Sequence, residues 1–200
     1  MISWQRILQS PDWRYLAMVI PAMALLQAIG PEYFRYQQDA VAAGQWWRIL
    51  TAHWVHVGWM HLFLNSLSLV VCVTLTSPNW SLRRWLLVTI AMGLGISFLL
   101  MLNNPEVTDY AGHSGILYGL YVLGGIGLYP RDRLISVLVV AAIVIKVLME
   151  QFSFYDFNTG SLIGARVIVD AHFYGLLMAI AIALLWATYT MKPRSREHSN

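Results

Sequence analysis

The run Trp47-Arg48-Ile49-Leu50-Thr51-Ala52-His53-Trp54-Val55-His56-Val57-Gly58-Trp59-Met60-His61-Leu62-Phe63-Leu64-Asn65 leads polar side chains straight into an apolar segment that continues to Thr76. Imidazoles and an amide are costly in lipid, and His61 and Asn65, four apart, share one face of a helix. Such a face is tolerated when it points into the protein, which makes it a functional-site candidate.

Composition places this run in its setting. Hydrophobic residues make up 58% of the 200 positions and charged residues 12%, against about 25% charged in soluble domains. Mean hydropathy is +0.57. The chain reads as a polytopic, all-α membrane protein of one domain, residues 1–200, with lipid as its surroundings. Its net charge of +3 comes from basic residues dispersed at loop ends, which suits topology signals rather than nucleic-acid binding. The single cysteine, Cys72, excludes an internal disulfide and lies in an apolar segment, where packing is its expected role.

A helix needs roughly 17–25 residues to cross a bilayer. Six stretches are predicted to span, over residues 15–29, 57–76, 82–102, 114–129, 134–149 and 167–189, some short or interrupted. Ser77-Pro78-Asn79 and Tyr129-Pro130-Arg131-Asp132 supply turn chemistry between them. Residues 192–200, charged, serine-containing and broken by Pro193, read as a disordered tail. Arg6 and Arg14 before a modest apolar stretch, with Ala22-Met23-Ala24 beyond, have the look of a cleavable leader. Pro21 and Gln27 suit a helix packed against neighbours as well, and that is the reading taken here.

Basic residues set the orientation. With both termini cytoplasmic, the inner segments hold Arg6, Arg14, Arg83, Arg84, Arg131, Arg133, Lys192, Arg194 and Arg196, whereas the outer loops hold only Arg35, Arg48 and Arg166. Spans two, four and six then run from outside to inside. His56, His61 and Asn65 open span two, Ser114 opens span four, and His172 lies in the first turns of span six. Three polar clusters are thereby expected at one depth near the outer face.

Their chemistry is that of acyl transfer. A serine hydroxyl becomes a useful nucleophile when a base takes its proton, and histidine suits that task near neutral pH. Ser114 and His172 form the candidate pair. The negative charge of a tetrahedral intermediate needs preorganised donors, which His61, Asn65 and the Ser114 backbone N–H at a helix start can supply. Gly115 and Gly119 on span four, with Ala171, Gly175 and Ala179 on span six, form small-residue stripes that let two helices approach closely. Tyr118, one turn after Ser114, is placed to pack on the His172 ring. Asp170 precedes His172 by two and so points elsewhere; it reads as a helix N-cap, and a Ser-His dyad without an acidic third member is expected.

These residues resemble the rhomboids, a family of intramembrane serine proteases. The likeness comprises Trp47-Arg48, His56-x4-His61-x3-Asn65, Gly112-x-Ser114-Gly115 followed by Tyr118, and Ala171-His172-x-x-Gly175, in family order. It implies a six-transmembrane-helix bundle with Ser114 as nucleophile, His172 as general base and acid, and His61, Asn65 and the Ser114 amide as the oxyanion hole. Gly112, Gly115, Gly175, Tyr118 and His56 are implied as supporting residues, His56 by hydrogen bonding to the outer loop and site. Neither cofactor nor metal is implied. The expected partners are single-span membrane proteins cleaved in or near the membrane segment. The short chain further resembles the rhombosortase branch, thought to process carboxy-terminal Gly-Gly anchor segments, which implies a bacterial inner membrane with the site opening outward. A general rhomboid protease and a non-proteolytic rhomboid-like binding protein are the alternatives.

Other polar residues have plainer readings. His113 either hydrogen-bonds near the nucleophile or faces the wet outer mouth, the second being favoured. His53 reads as interfacial and structural, and Lys146 with Glu150, one turn apart on span five, as a structural pair. The loop at residues 152–160 suits both a lid, with lateral access between spans two and five as the resemblance suggests, and an aromatic belt. A metal site built from His53, His56, His61, Asp170 and His172 is a competing expectation that lacks the His-Glu-x-x-His zinc-protease signature.

Overall fold

A computed structural model describes residues 11–76, 80–152 and 159–191. The expectations for a leader's charged start, the 77–79 turn, most of the 152–160 loop and the 192–200 tail fall outside the described residues.

Helices occupy the six predicted stretches: α1 (Pro11–Ile29), α4 (Trp59–Thr76), α5 (Leu82–Asn103), α6 (Ser114–Leu128), α7 (Arg133–Gln151) and α9 (Val169–Met191). Between them lie the short helices α2 (Gln38–Ala42), α3 (Arg48–Thr51) and α8 (Thr159–Ile163). By length and composition α4, α5, α7 and α9 can each cross a membrane, while α6 is apolar but shorter. Helix α1, with Asp12 and Arg14 near its start, is not among those four. The all-α expectation needs one addition, a two-residue antiparallel ladder in which Tyr36 pairs with Tyr110 and Gln37 with Asp109. An Arg35–Asp109 ion pair of 3.0 Å flanks it, so the loop before α4 is tied to the loop before α6.

The ends of the helices follow local rules. Ser81 caps α5 by accepting from the Arg84 N–H, and Asp132 caps α7 by accepting from the Ile135 N–H. Helix α6 is apolar on every side, and ten of its fifteen residues are buried. A helix of that kind belongs in the centre, and α6 packs against α4, α5, α7 and α9. Its glycines set the spacing. A Cβ on Gly115 would lie 2.6 Å from the Ala171 carbonyl oxygen and one on Gly119 2.7 Å from that of Gly175, while one on Gly175 would overlap the Gly115 carbonyl. Helices α6 and α9 therefore meet backbone to backbone.

Helix α1 closes the other side of the bundle against α4 and α5. Its buried Asp12 accepts from the Trp85 indole at 2.6 Å, and the Tyr15 ring stacks on Trp85 with its hydroxyl 2.7 Å from Thr89 Oγ1. At its far end Gln27 is buried and makes a double hydrogen bond to the backbone of His56, donating to the carbonyl and accepting from the N–H. The segment before α4 is gathered around Arg48, which is buried and donates to Gln45 Oε1 and to the carbonyls of Glu32 and Arg35.

Candidate active site

Four helix ends meet at one end of the bundle. His61 is the third residue of α4, Ser114 the first of α6, His172 the fourth of α9, and Glu150 lies in the last turn of α7. Because α6 and α9 touch at their glycines, Ser114 and His172 come within reach of each other. Ser114 Oγ lies 2.9 Å from His172 Nε2. The Tyr118 ring, one turn along α6, lies flat on the imidazole with centroids 4.1 Å apart and planes 8° from parallel.

The far side of the imidazole departs from the sequence expectation. His172 Nδ1 is 2.8 Å from Glu150 Oε2, so an acidic neighbour of the histidine is present after all. Glu150 Oε1 accepts from Lys146 Nζ at 2.6 Å and from the Tyr118 hydroxyl at 3.1 Å. The Lys146–Glu150 pair read from spacing therefore forms, but its carboxylate also reaches His172. Attention to Asp170 alone missed this. Asp170 itself is inside the first turn of α9 rather than at its N-cap, where an acidic side chain favours the helix dipole. The depth argument that aligned His61, Ser114 and His172 would have found Glu150, which ends an apolar span at the same level.

Above the serine, Gly112 adopts φ +146°, and a Cβ there would lie 2.9 Å from His61 Cε1. Glycine is thus required twice at this turn, for its backbone and for its space. His61 Nδ1 and Asn65 Nδ2 are buried with no protein hydrogen-bond partner, an arrangement that normally costs free energy. The Ser114 amide heads α6 and has no intrahelical acceptor. Three groups able to donate thus lie in the first two turns of α4 and at the first residue of α6.

Behind the site is a second polar cluster. His113 is fully buried and donates from Nδ1 to the His53 carbonyl at 2.8 Å, which corrects the expectation that it faces a wet mouth. His53 is fully buried too, rather than interfacial. It lies 2.9 Å from Ser97 Oγ, which donates to the Ile49 carbonyl, and its ring meets Tyr110 edge-on. His56 supports the outer loop through its backbone pairing with Gln27, not through its ring. That ring is buried, without hydrogen bonds, edge-on to His61 with centroids 4.9 Å apart. Burial lowers the affinity of these imidazoles for protons: His53 is held down to about 3, with His113 adding to the effect, His113 to about 4, and His56 well below the usual 6.5, with His61 and His113 contributing. Among the described residues no group of three or more His, Cys, Asp or Glu side chains is placed to hold a metal ion.

A Rhomboid domain profile matches residues 43–189, a stretch that contains His61, Asn65, Ser114, Glu150 and His172. The chain belongs to the rhomboid family. It is 26% identical over 149 residues to the protein YdcA of Bacillus subtilis (strain 168), covering 72% of this chain and 69% of that protein. It is 30% identical over 119 residues to rhomboid protease GluP of the same organism, covering 59% of this chain and 23% of GluP. With RHOMBOID-like protein 2 of Arabidopsis thaliana it shares 33% identity over 100 residues, half of this chain and 30% of the other. As a rhomboid, the chain is an integral membrane protein whose apolar helices enclose the Ser114–His172 pair, and the matched region takes in every helix from α3 through α8 and most of α9.

Proposed function

We propose that this rhomboid is an intramembrane serine protease in which Ser114 is the nucleophile and His172 the general base and then the general acid. The observation that carries the reading is the 2.9 Å contact between Ser114 Oγ and His172 Nε2, within hydrogen-bond reach for proton transfer. Ser114 Oγ attacks the scissile carbonyl carbon as its proton passes to His172 Nε2. The charge that develops on the carbonyl oxygen is met by the Ser114 amide and by His61 and Asn65, whose side chains each keep a buried nitrogen without a protein partner in the resting site. Collapse of the intermediate expels the amine, protonated by His172, and water then releases the acyl group by the same steps in reverse.

The membrane setting follows from the same reading. All six long helices cross, both termini lie in the cytoplasm, and the one domain opens its site toward the outer face of a bacterial inner membrane. The fifteen residues of α6 span about 22 Å at 1.5 Å per residue, shorter than the roughly 30 Å hydrocarbon core. With its Leu128 end at the inner boundary, Ser114 sits below the outer surface, at a level where the anchor segment of a single-span substrate is accessible. The reading is supported further by the similarity to rhomboid protease GluP.

The substrate class proposed is the single-span membrane protein, and within it the rhombosortase type with a carboxy-terminal Gly-Gly anchor segment. The deciding experiment compares membranes from wild-type and Ser114→Ala cells. Proteins whose carboxy-terminal anchors persist only in the variant are the substrates, and a Gly-Gly motif before those anchors supports the narrower class. Absence of that motif from every accumulated protein sinks the narrower class, and identical membranes sink the protease.

A further inference from the structure

We propose that Glu150 is the positioning residue of the catalytic base: it selects the His172 tautomer whose bare Nε2 can take the Ser114 proton. The proposal rests on the Ser114–His172 reading above and extends it to a third helix, α7.

The argument begins with hydrogen-bond roles. A carboxylate only accepts, so the ring nitrogen facing it at 2.8 Å carries the hydrogen. An imidazole with hydrogen on Nδ1 has its lone pair on Nε2, and Nε2 is the atom 2.9 Å from Ser114 Oγ. Both side chains are sheltered: the His172 side chain is 5% exposed and that of Glu150 8%. Few water molecules can compete for Nδ1, so the carboxylate decides the tautomer.

The two carboxylate oxygens have separate duties. Oε1 receives both Lys146 Nζ and the Tyr118 hydroxyl, and Oε2 is left to His172. Lys146 supplies the compensating charge without which a sheltered carboxylate is costly. A structural i,i+4 ion pair on α7 would need only the first of these contacts. Tyr118 joins the two arms, stacking on the imidazole and donating to the carboxylate that orients it. The Ser114, His172 and Glu150 line therefore runs across α6, α9 and α7, and the base is oriented only while α7 is seated against the other two.

The division of oxygens makes Glu150→Gln an unusually sharp probe. Lys146 and Tyr118 are donors on the Oε1 side, so the carboxamide oxygen turns to them and the NH2 group faces His172 Nδ1. The imidazole must then carry its hydrogen on Nε2, where it cannot accept the serine proton. Glu150→Ala leaves the tautomer free, with Tyr118 still beneath the ring. A structural side chain predicts the opposite order, because glutamine conserves shape and most hydrogen bonds.

The test uses the full chain in detergent micelles or proteoliposomes and follows the rate at which a fluorophosphonate probe labels Ser114. Glu150→Gln should label at least ~10-fold more slowly than Glu150→Ala and as much as ~10⁴-fold more slowly than wild type, the scale of enforcing a wrong tautomer in a serine protease. Thermal unfolding of each variant accompanies the rates. Independently of any substitution, the ring ¹⁵N shifts of His172 in the wild-type protein should show hydrogen on Nδ1 and none on Nε2, which decides the matter if the glutamine variant does not fold. Labelling that requires Ser114 and His172 but ranks Gln at or above Ala, or an Nε2-protonated ring in wild type, overturns the role of Glu150 alone. Wild-type labelling that persists in Ser114→Ala overturns the serine reading and this one with it.

Discussion

Tyr118 and His172 lie face to face, ring centroids 4.1 Å apart, and the tyrosine hydroxyl reaches the carboxylate bound to the other edge of the same histidine. One side chain thus fixes the imidazole plane and touches the group that fixes its rotation. Tyr118→Phe keeps the stack and should cleave within a few-fold of wild type. Tyr118→Ala frees the ring, and a displacement of the order of 1 Å is expected to cost about 10²-fold in turnover. Substrate cleavage rates of the two variants check the difference, and equal rates would show that the stack does not orient the base.

The unpartnered donors of His61 and Asn65 define a second expectation. His61→Ala and Asn65→Ala should each lower turnover by about 10²- to 10³-fold while leaving activity above that of Ser114→Ala. Their effects should appear in kcat more than in KM, since the charge they meet develops only during reaction. A loss confined to KM would assign them to substrate binding instead.

Close approach of α6 and α9 brings Ser114 to His172, so it is open to direct attack. A side chain at residue 175 collides with the Gly115 carbonyl, and backbone cannot yield as a flexible side chain does. Gly175→Val should lower stability by about 1–3 kcal/mol or more, the range for overpacking a close-packed site. It should also abolish labelling of Ser114, read as a lower Tm together with the lost signal. An unaltered Tm would contradict the helix contact.

The buried imidazoles outside the six long helices predict an acid limit. For His53, His56 and His113 the folded protein binds a proton less readily than the unfolded chain, whose ordinary value is 6.5. The unfolded state therefore takes up protons first as pH falls, and stability drops below pH 6.5. The loss continues until about 4 for His113 and about 3 for His53. Above 6.5 these groups contribute no slope. Thermal unfolding between pH 8 and 5 measures this, and His113→Gln, which keeps a donor for the His53 carbonyl, should flatten the acid side of the curve.

Gln27 offers a test of the support behind the site. Its side chain satisfies both the N–H and the carbonyl of His56, so Gln27→Leu leaves two buried backbone groups without partners. A destabilisation of about 1–3 kcal/mol for an unsatisfied buried group is expected, seen as a lower Tm with Ser114 still labelled by the probe.

Several of these relationships were legible in the chain itself. Hydrophobic length located the six long helices within a few residues, because a helix surrounded by lipid or by other helices is apolar along most of its course and its ends are marked by charge, proline or a cap such as Asp132. The glycine stripes at Gly115 and Gly175 announced a close helix pair, and the four-residue spacing from Ser114 to Tyr118 put the ring under the histidine. His113 and His53 were less readable. Their surroundings, the Ser97 hydroxyl, the Tyr110 ring and a loop carbonyl, come from segments 44 to 60 residues apart in sequence, and no local pattern records whether such a neighbour shields a polar ring or leaves it wet.

By itself the sequence determined the apolar helices, the residues able to do acyl-transfer chemistry, and the pairing of Lys146 with Glu150, since each depends on spacing along one helix or on transfer from water to lipid. Tertiary structure decided what lies across a gap between helices. It brought Glu150 of α7 to His172 of α9, buried His113, and left the donors of His61 and Asn65 without protein partners, because rotation and depth of one helix against another follow from packing over the whole bundle. The His61–Asn65 face marked where a site should be; the meeting of α6, α7 and α9 decided which carboxylate faces its histidine.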